Sequence, residues 1–150
     1  MNQVAFARRD STLSDLKNRA VPASQLLLNV ERDSYQAQIA LERLVLGHAS
    51  DPDGALEFFA VNAGQTGERL QRYQSHTVRF EGEGAAFANV VRAREQWLSD
   101  AEAALAAPGS LAAVAATQAS FAAYHAGLDE MAERYEEIVV SLSDRSNRQG

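Results

Sequence analysis

The residues of this chain best suited to chemistry lie in one run, Leu26–Leu46. There Asn29, Arg32, Asp33, Tyr35, Gln36 and Arg43 stand among the polar residues of a strongly helical run where a simple core would be apolar. What they offer is recognition rather than turnover. A guanidinium fork matches the two oxygens of a carboxylate, so Arg32 or Arg43 is a candidate clamp for an acid. Gln36, Thr117 and Gln118 supply further polar atoms that orient such a ligand, and Phe121 or Tyr124 would wall the pocket. A long helix carrying this set suggests a receptor surface more than a catalytic centre.

Most reaction chemistry is excluded by what the chain lacks. There is no cysteine, which removes disulfides, thiolate metal sites and cysteine nucleophiles. The three histidines, His48, His76 and His125, are scattered and stand in no Glu-x-x-His pair, so no metal or other cofactor is expected. His48 and His76 fall near helix ends, and His125 falls within the predicted seam of the last helix. No glycine-rich phosphate loop and no Ser-His-Asp arrangement is present. Glu130, Glu133, Glu136 and Glu137 spread round one helix as a solvated face. The chain is therefore not expected to be an enzyme.

Net charge is −6, with Lys17 the single lysine, which argues against nucleic acid and against anionic lipid. Hydrophobic content of 46% with 23% charged residues is globular, and 150 residues suit one domain, 1–150. No apolar run approaches the ~20 residues that span a bilayer, and no leader pattern opens the chain. Taken alone, that predicts a soluble cytosolic protein; if the chain is an excised segment, it says nothing of the parent.

The elements that must position these residues are helices. Gly47–Gly54, Thr77–Gly84 and Pro108-Gly109-Ser110 act as breaks, with Asp51 and Ser110 as N-caps and Pro52 at a first helical position. They separate four helices at about residues 5–48, 52–76, 84–107 and 110–146. Apolar residues recur in steps of three and four: Leu27, Val30, Ala37 and Leu41 in the first, Leu56, Phe59, Ala63, Leu70 and Tyr73 in the second. Phe87, Val90, Trp97 and Leu105 continue the pattern in the third, and Leu111, Val114, Gln118, Phe121, His125, Leu128 and Tyr135 in the fourth. Such stripes predict an all-α, up-down-up-down antiparallel four-helix bundle with long first and last helices. The first helix carries a second stripe, Gln25, Leu28, Arg32, Tyr35, Ile39, Glu42 and Leu46, which predicts one face for its own bundle and another for a second copy. Pro22 is expected to kink it.

The run Asn29-Val30-Glu31-Arg32-Asp33-Ser34-Tyr35-Gln36-Ala37, after Pro22 and Leu26-Leu27-Leu28, resembles the first-helix pattern of bacterial methyl-accepting chemotaxis receptors with a four-helix-bundle sensor domain. Gln65, Arg69 and Tyr73, Trp97 and Ser99, and Phe121 with Leu128-Asp129 extend the likeness along nearly the whole chain. Glu31 departs from the pattern, where aspartate is commoner. The resemblance implies a periplasmic domain of an inner-membrane protein, anchored at both ends and coupled to a cytoplasmic signalling module. It also implies a homodimer through the first helix, with a small molecule bound between helices 1 and 4 at or near that interface and a small axial shift of helix 4 as the signal.

Counting residues from the shared end of helices 1 and 4 sets Arg32, Asp33 and Gln36 level with Tyr124 and His125, and Arg43 level with Thr117, Gln118 and Phe121. Two polar layers are thus expected to hold an organic acid or amino acid. The competing reading leaves Arg32 and Asp33 as ion pairs at the dimer face, beside Asn29 and Tyr35, and lets the polar residues fix register. Two rival functions stand beside the chemoreceptor: the sensor domain of a histidine kinase or diguanylate cyclase, and a ligand-free helical interaction bundle.

Overall fold

The computed structural model describes residues 11–77, 80 and 82–149. These form four helices, α1 (Ser11–Val45), α2 (Pro52–Thr77), α3 (Glu83–Leu105) and α4 (Leu111–Gln149), and no strand among the described residues. The expected all-α four-helix bundle is what folds. Residues 5–10 of the predicted first helix lie outside the described residues, and α1 continues as helix through Pro22.

Local chemistry places each break. Gly47 takes φ +74, and the amides of Gly47 and His48 close back on the carbonyls of Leu44 and Arg43 (3.2 and 2.8 Å). That pair of bonds is a Schellman stop, and it needs a left-handed residue at Gly47. Asp51 Oδ1 accepts the Gly54 amide at 3.2 Å and Ser110 Oγ accepts the Ala113 amide at 3.1 Å, so both predicted caps form. The Gly109 amide donates to the Val45 carbonyl at 2.6 Å, which ties the α3–α4 turn to the end of α1.

The bundle is built from two close hairpins, α1–α2 and α3–α4, joined chiefly through α1 against α4. Its core holds Leu27, Val30, Leu41, Leu70, Tyr73, Trp97, Tyr124, Leu128 and Met131. Gly127 belongs to this packing, because a Cβ there would lie 3.3 Å from Val90 Cγ2. Two predicted stripe members are corrected: Leu56 and Leu111 are exposed, since each stands in the first turn or so of its helix, beyond the interdigitated layers. In α4 the predicted Val114, Phe121, Leu128 and Tyr135 are buried, but Thr117 and Tyr124 take the inward places expected of Gln118 and His125, one residue earlier in each case.

The α1 outer stripe is at the surface. Leu28, Tyr35 and Ile39 are all roughly half exposed (59%, 52% and 46%). With 39 residues, α4 runs ~58 Å at 1.5 Å per residue. Its buried positions end at Tyr135, which meets Tyr73 and Phe80 at the α2–α3 turn, and the residues beyond Val139 are largely solvated. Among the described residues no helix is long and apolar enough to cross a membrane.

Candidate functional site

Tyr124 meets α1 at Ser34, within the expected Arg32–Gln36 level, whereas Thr117, expected level with Arg43, meets Gln38 five residues earlier. Ser34 Oγ and Tyr124 OH share a hydrogen bond of 3.0 Å, and Gln38 Nε2 donates to Thr117 Oγ1 at 3.1 Å. Gln118 donates to Glu42, one turn farther along α1. Gln38 is the centre of this layer: its Oε1 accepts the Trp97 indole N–H at 2.8 Å, so one buried amide links α1, α3 and α4. A buried donor left unpaired costs ~1–3 kcal/mol, which is why these groups are all satisfied. Tyr124 also stacks on Trp97 (centroids 5.4 Å apart, planes 16° apart). Burial pushes its phenol above the ordinary range, against hydrogen bonds to Ser34 and Thr66 that pull it down.

A second polar system lies between the hairpins. Arg94 Nε donates to Thr66 Oγ1 at 2.9 Å and its Nη2 to the Ala63 carbonyl at 2.8 Å. Gly67 makes room for it, since a Cβ there would come within 2.8 Å of Arg94 Nη2. Farther along, buried Glu83 accepts from Tyr73 OH and Arg134 Nε, both at 3.3 Å. Burial, then Glu83, raises the Tyr73 phenol.

The predicted site residues separate into three groups. Thr117 and Tyr124 are fully buried and Phe121 nearly so, so they build the α1–α4 seam and present little to solvent. Tyr35 and His125 stand at the outer edge of that seam, and Arg32 is exposed and turned toward Asp33. Tyr35 sets its ring edge-on to Phe121 and to His125 (5.3 and 5.6 Å between centroids). His125 is therefore not a core residue: its side chain is 32% exposed, with Nδ1 3.4 Å from Asp129 Oδ2. Gln36 and Arg43 form the third group. They lie on the other side of α1, in a groove of about 570 Å³ shared with His48, Asp51 and Phe58 of the α1–α2 connection and helix α2. Arg43 lines this groove five residues beyond Gln38, which is the α1 partner of Thr117.

Asp33 is placed differently from the dimer-face expectation. It is buried, ion-paired with Arg69 of α2 and 3.5 Å from the exposed Arg32. Asn29 is half-buried and accepts from Gln25 at 3.2 Å. Below the Tyr35 edge, a groove of about 390 Å³ opens between α1 and α4, with Leu27, Leu28, Glu31, Tyr135 and Val139 in its lining.

Sequence reasoning missed Gln38, Glu31, Arg69, Arg94 and Glu83 as site or network residues. Gln38 sits between Ala37 and Leu41 of the predicted stripe, and its partners lie 59 and 79 residues away, so no local spacing announces it. Comparison with protein families, with curated proteins and with solved structures gives no match for this chain.

Proposed function

We propose that this chain is the extracytoplasmic ligand-sensing domain of a transmembrane chemoreceptor, binding a small organic acid or amino acid between α1 and α4 beside a homodimer face. The observation that carries this reading is the division of α1 into two faces. Its inner face is locked to α4 by the Ser34–Tyr124 and Gln38–Thr117 bonds. Its outer face leaves Leu28, Arg32, Tyr35 and Ile39 in solvent, with Tyr35 edge-on to Phe121 and His125. A second α1 laid on that stripe would cover the apolar residues and enclose Arg32.

In this reading Arg32 releases Asp33 to Arg69 alone and turns its guanidinium to the ligand carboxylate, while Tyr35, Phe121 and His125 wall it. The α1–α4 bonds are discrete, so α4 has a few preferred axial positions rather than a continuum. A ligand that binds one of them better shifts the population toward it by its differential affinity. The long solvated end of α4 beyond Val139 carries the displacement onward.

A thermal-shift screen of the whole chain against organic acids and amino acids tests this. One chemical class should raise Tm with a concentration dependence that follows linkage, and Arg32→Ala should abolish the rise while Arg43→Ala retains it. Loss in Arg43→Ala alone would move the site to the α1–α2 groove. No stabilisation by any class, or unchanged stabilisation in both variants, would overturn the reading and favour a ligand-free interaction bundle.

A further inference from the structure

Among the described residues, one group of histidine and carboxylate side chains converges. Glu31 of α1 faces His125 and Asp129 of α4, and one ligating atom from each lies within 4.8 Å of the other two. His125 and Asp129 are four residues apart on one helix, which points both the same way, as in helical metal motifs that place ligands at i and i+4. Glu31 reaches them across the seam. The set is a nitrogen and two oxygens drawn from two helices, not a patch of acids on one surface.

Two further observations fit a bound cation. The Glu31 and Asp129 carboxyl groups face each other with oxygens within 4.8 Å, an arrangement that two bare carboxylates resist. Among the described residues no arginine or lysine ion-pairs with either, because the neighbouring Arg32 turns to Asp33. The imidazole is also held in place. Tyr35 meets it edge-on at 5.6 Å (87° between planes) and Phe121 lies 6.3 Å away, so the ring presents its nitrogen edge to the carboxylates. Asp129 is exposed, which leaves the outer side open to water.

We propose that Glu31, His125 and Asp129 form a binding site for one first-row divalent transition-metal ion, with Zn²⁺ the best fit. The imidazole selects against Mg²⁺ and Ca²⁺, which prefer all-oxygen shells, and three protein donors with open positions suit Zn²⁺, Co²⁺ or Mn²⁺. Bonds of ~2.0–2.2 Å require the donors to close by on the order of 1 Å, a side-chain rotation for partly solvated groups. The ion would pin α1 to α4 one turn below the Ser34–Tyr124 bond. The site stands on these three side chains and does not depend on the receptor reading.

The test is calorimetric titration of untagged, chelator-treated full chain with ZnCl₂, with CoCl₂ absorption as a second readout. One equivalent of Zn²⁺ should bind and raise Tm, and Co²⁺ should give visible d–d bands. Glu31→Gln, His125→Gln and Asp129→Asn should each weaken binding by more than the roughly tenfold to hundredfold that loss of a group hydrogen-bonded to a metal ligand costs. His48→Gln and His76→Gln should leave it unchanged. Circular dichroism in chelator checks that each variant is folded, and the conservative carboxamide variants retain the shape of the site. Wild-type affinity in folded His125→Gln, or no saturable binding by the native chain, would overturn the site.

Discussion

At the residue scale, the seam between α1 and α4 is set by groups that are costly to leave alone. Gln38 is buried because it answers both the Trp97 indole and Thr117, and Ser34 because it answers Tyr124. Glu31 differs, since it faces another acid, Asp129, as well as His125. Burial, then the hydrogen bond and charge of Asp129, raises its pKa above the ordinary 4.5, with His125 opposing. A carboxyl whose folded pKa is raised stabilises the fold below its unfolded value and loses that contribution as pH rises through the folded one. Glu31→Gln, which stays neutral, should therefore gain on the native chain as pH rises from 4.5 toward neutrality. Thermal melts in chelator across that range check it; parallel curves for the two proteins would contradict it.

At the element scale, the helices and their breaks were legible in the sequence, and the level at which α1 meets α4 was legible at Tyr124 but not at Thr117. The breaks were legible because Gly47, Asp51-Pro52 and Ser110 act through local geometry. The rotation of α4 was legible only to within one residue. An inward stripe is ~100° wide, and an alanine-rich helix offers little contrast between Thr117 and Gln118 or between Tyr124 and His125. Asp33 was misplaced for a related reason: the partner that draws it inward, Arg69, is supplied by α2. The pairing of α1 with α2 yields an asymmetric expectation. Arg69→Ala strands a buried carboxylate and should cost ~3–5 kcal/mol, less whatever Arg32 recovers. Arg32→Ala removes an exposed partner and should cost ~0–1 kcal/mol. Urea denaturation of the two variants measures this, and equal losses would contradict the assignment of Arg69 as the principal partner.

At the scale of the whole molecule, two hairpins enclose one aromatic and aliphatic core, and two of its outward features bear on the sensing account. One is the half-exposed stripe Leu28, Tyr35 and Ile39 on α1; the other is the solvated end of α4. Three exposed apolar residues in line with an arginine form a face that a symmetric partner can cover, because the same patch on a second copy is its own complement. Under the sensing account, ligand and partner share that face, so each must strengthen the other by the same factor. The ligand itself was not legible, because the groups that would select it are spread over two helices and a second copy. Sedimentation equilibrium of the native chain, with and without the compound that raises Tm most, tests the account most directly. The account predicts a monomer–dimer equilibrium that tightens with ligand and weakens in Ile39→Arg; a monomer indifferent to ligand would contradict it.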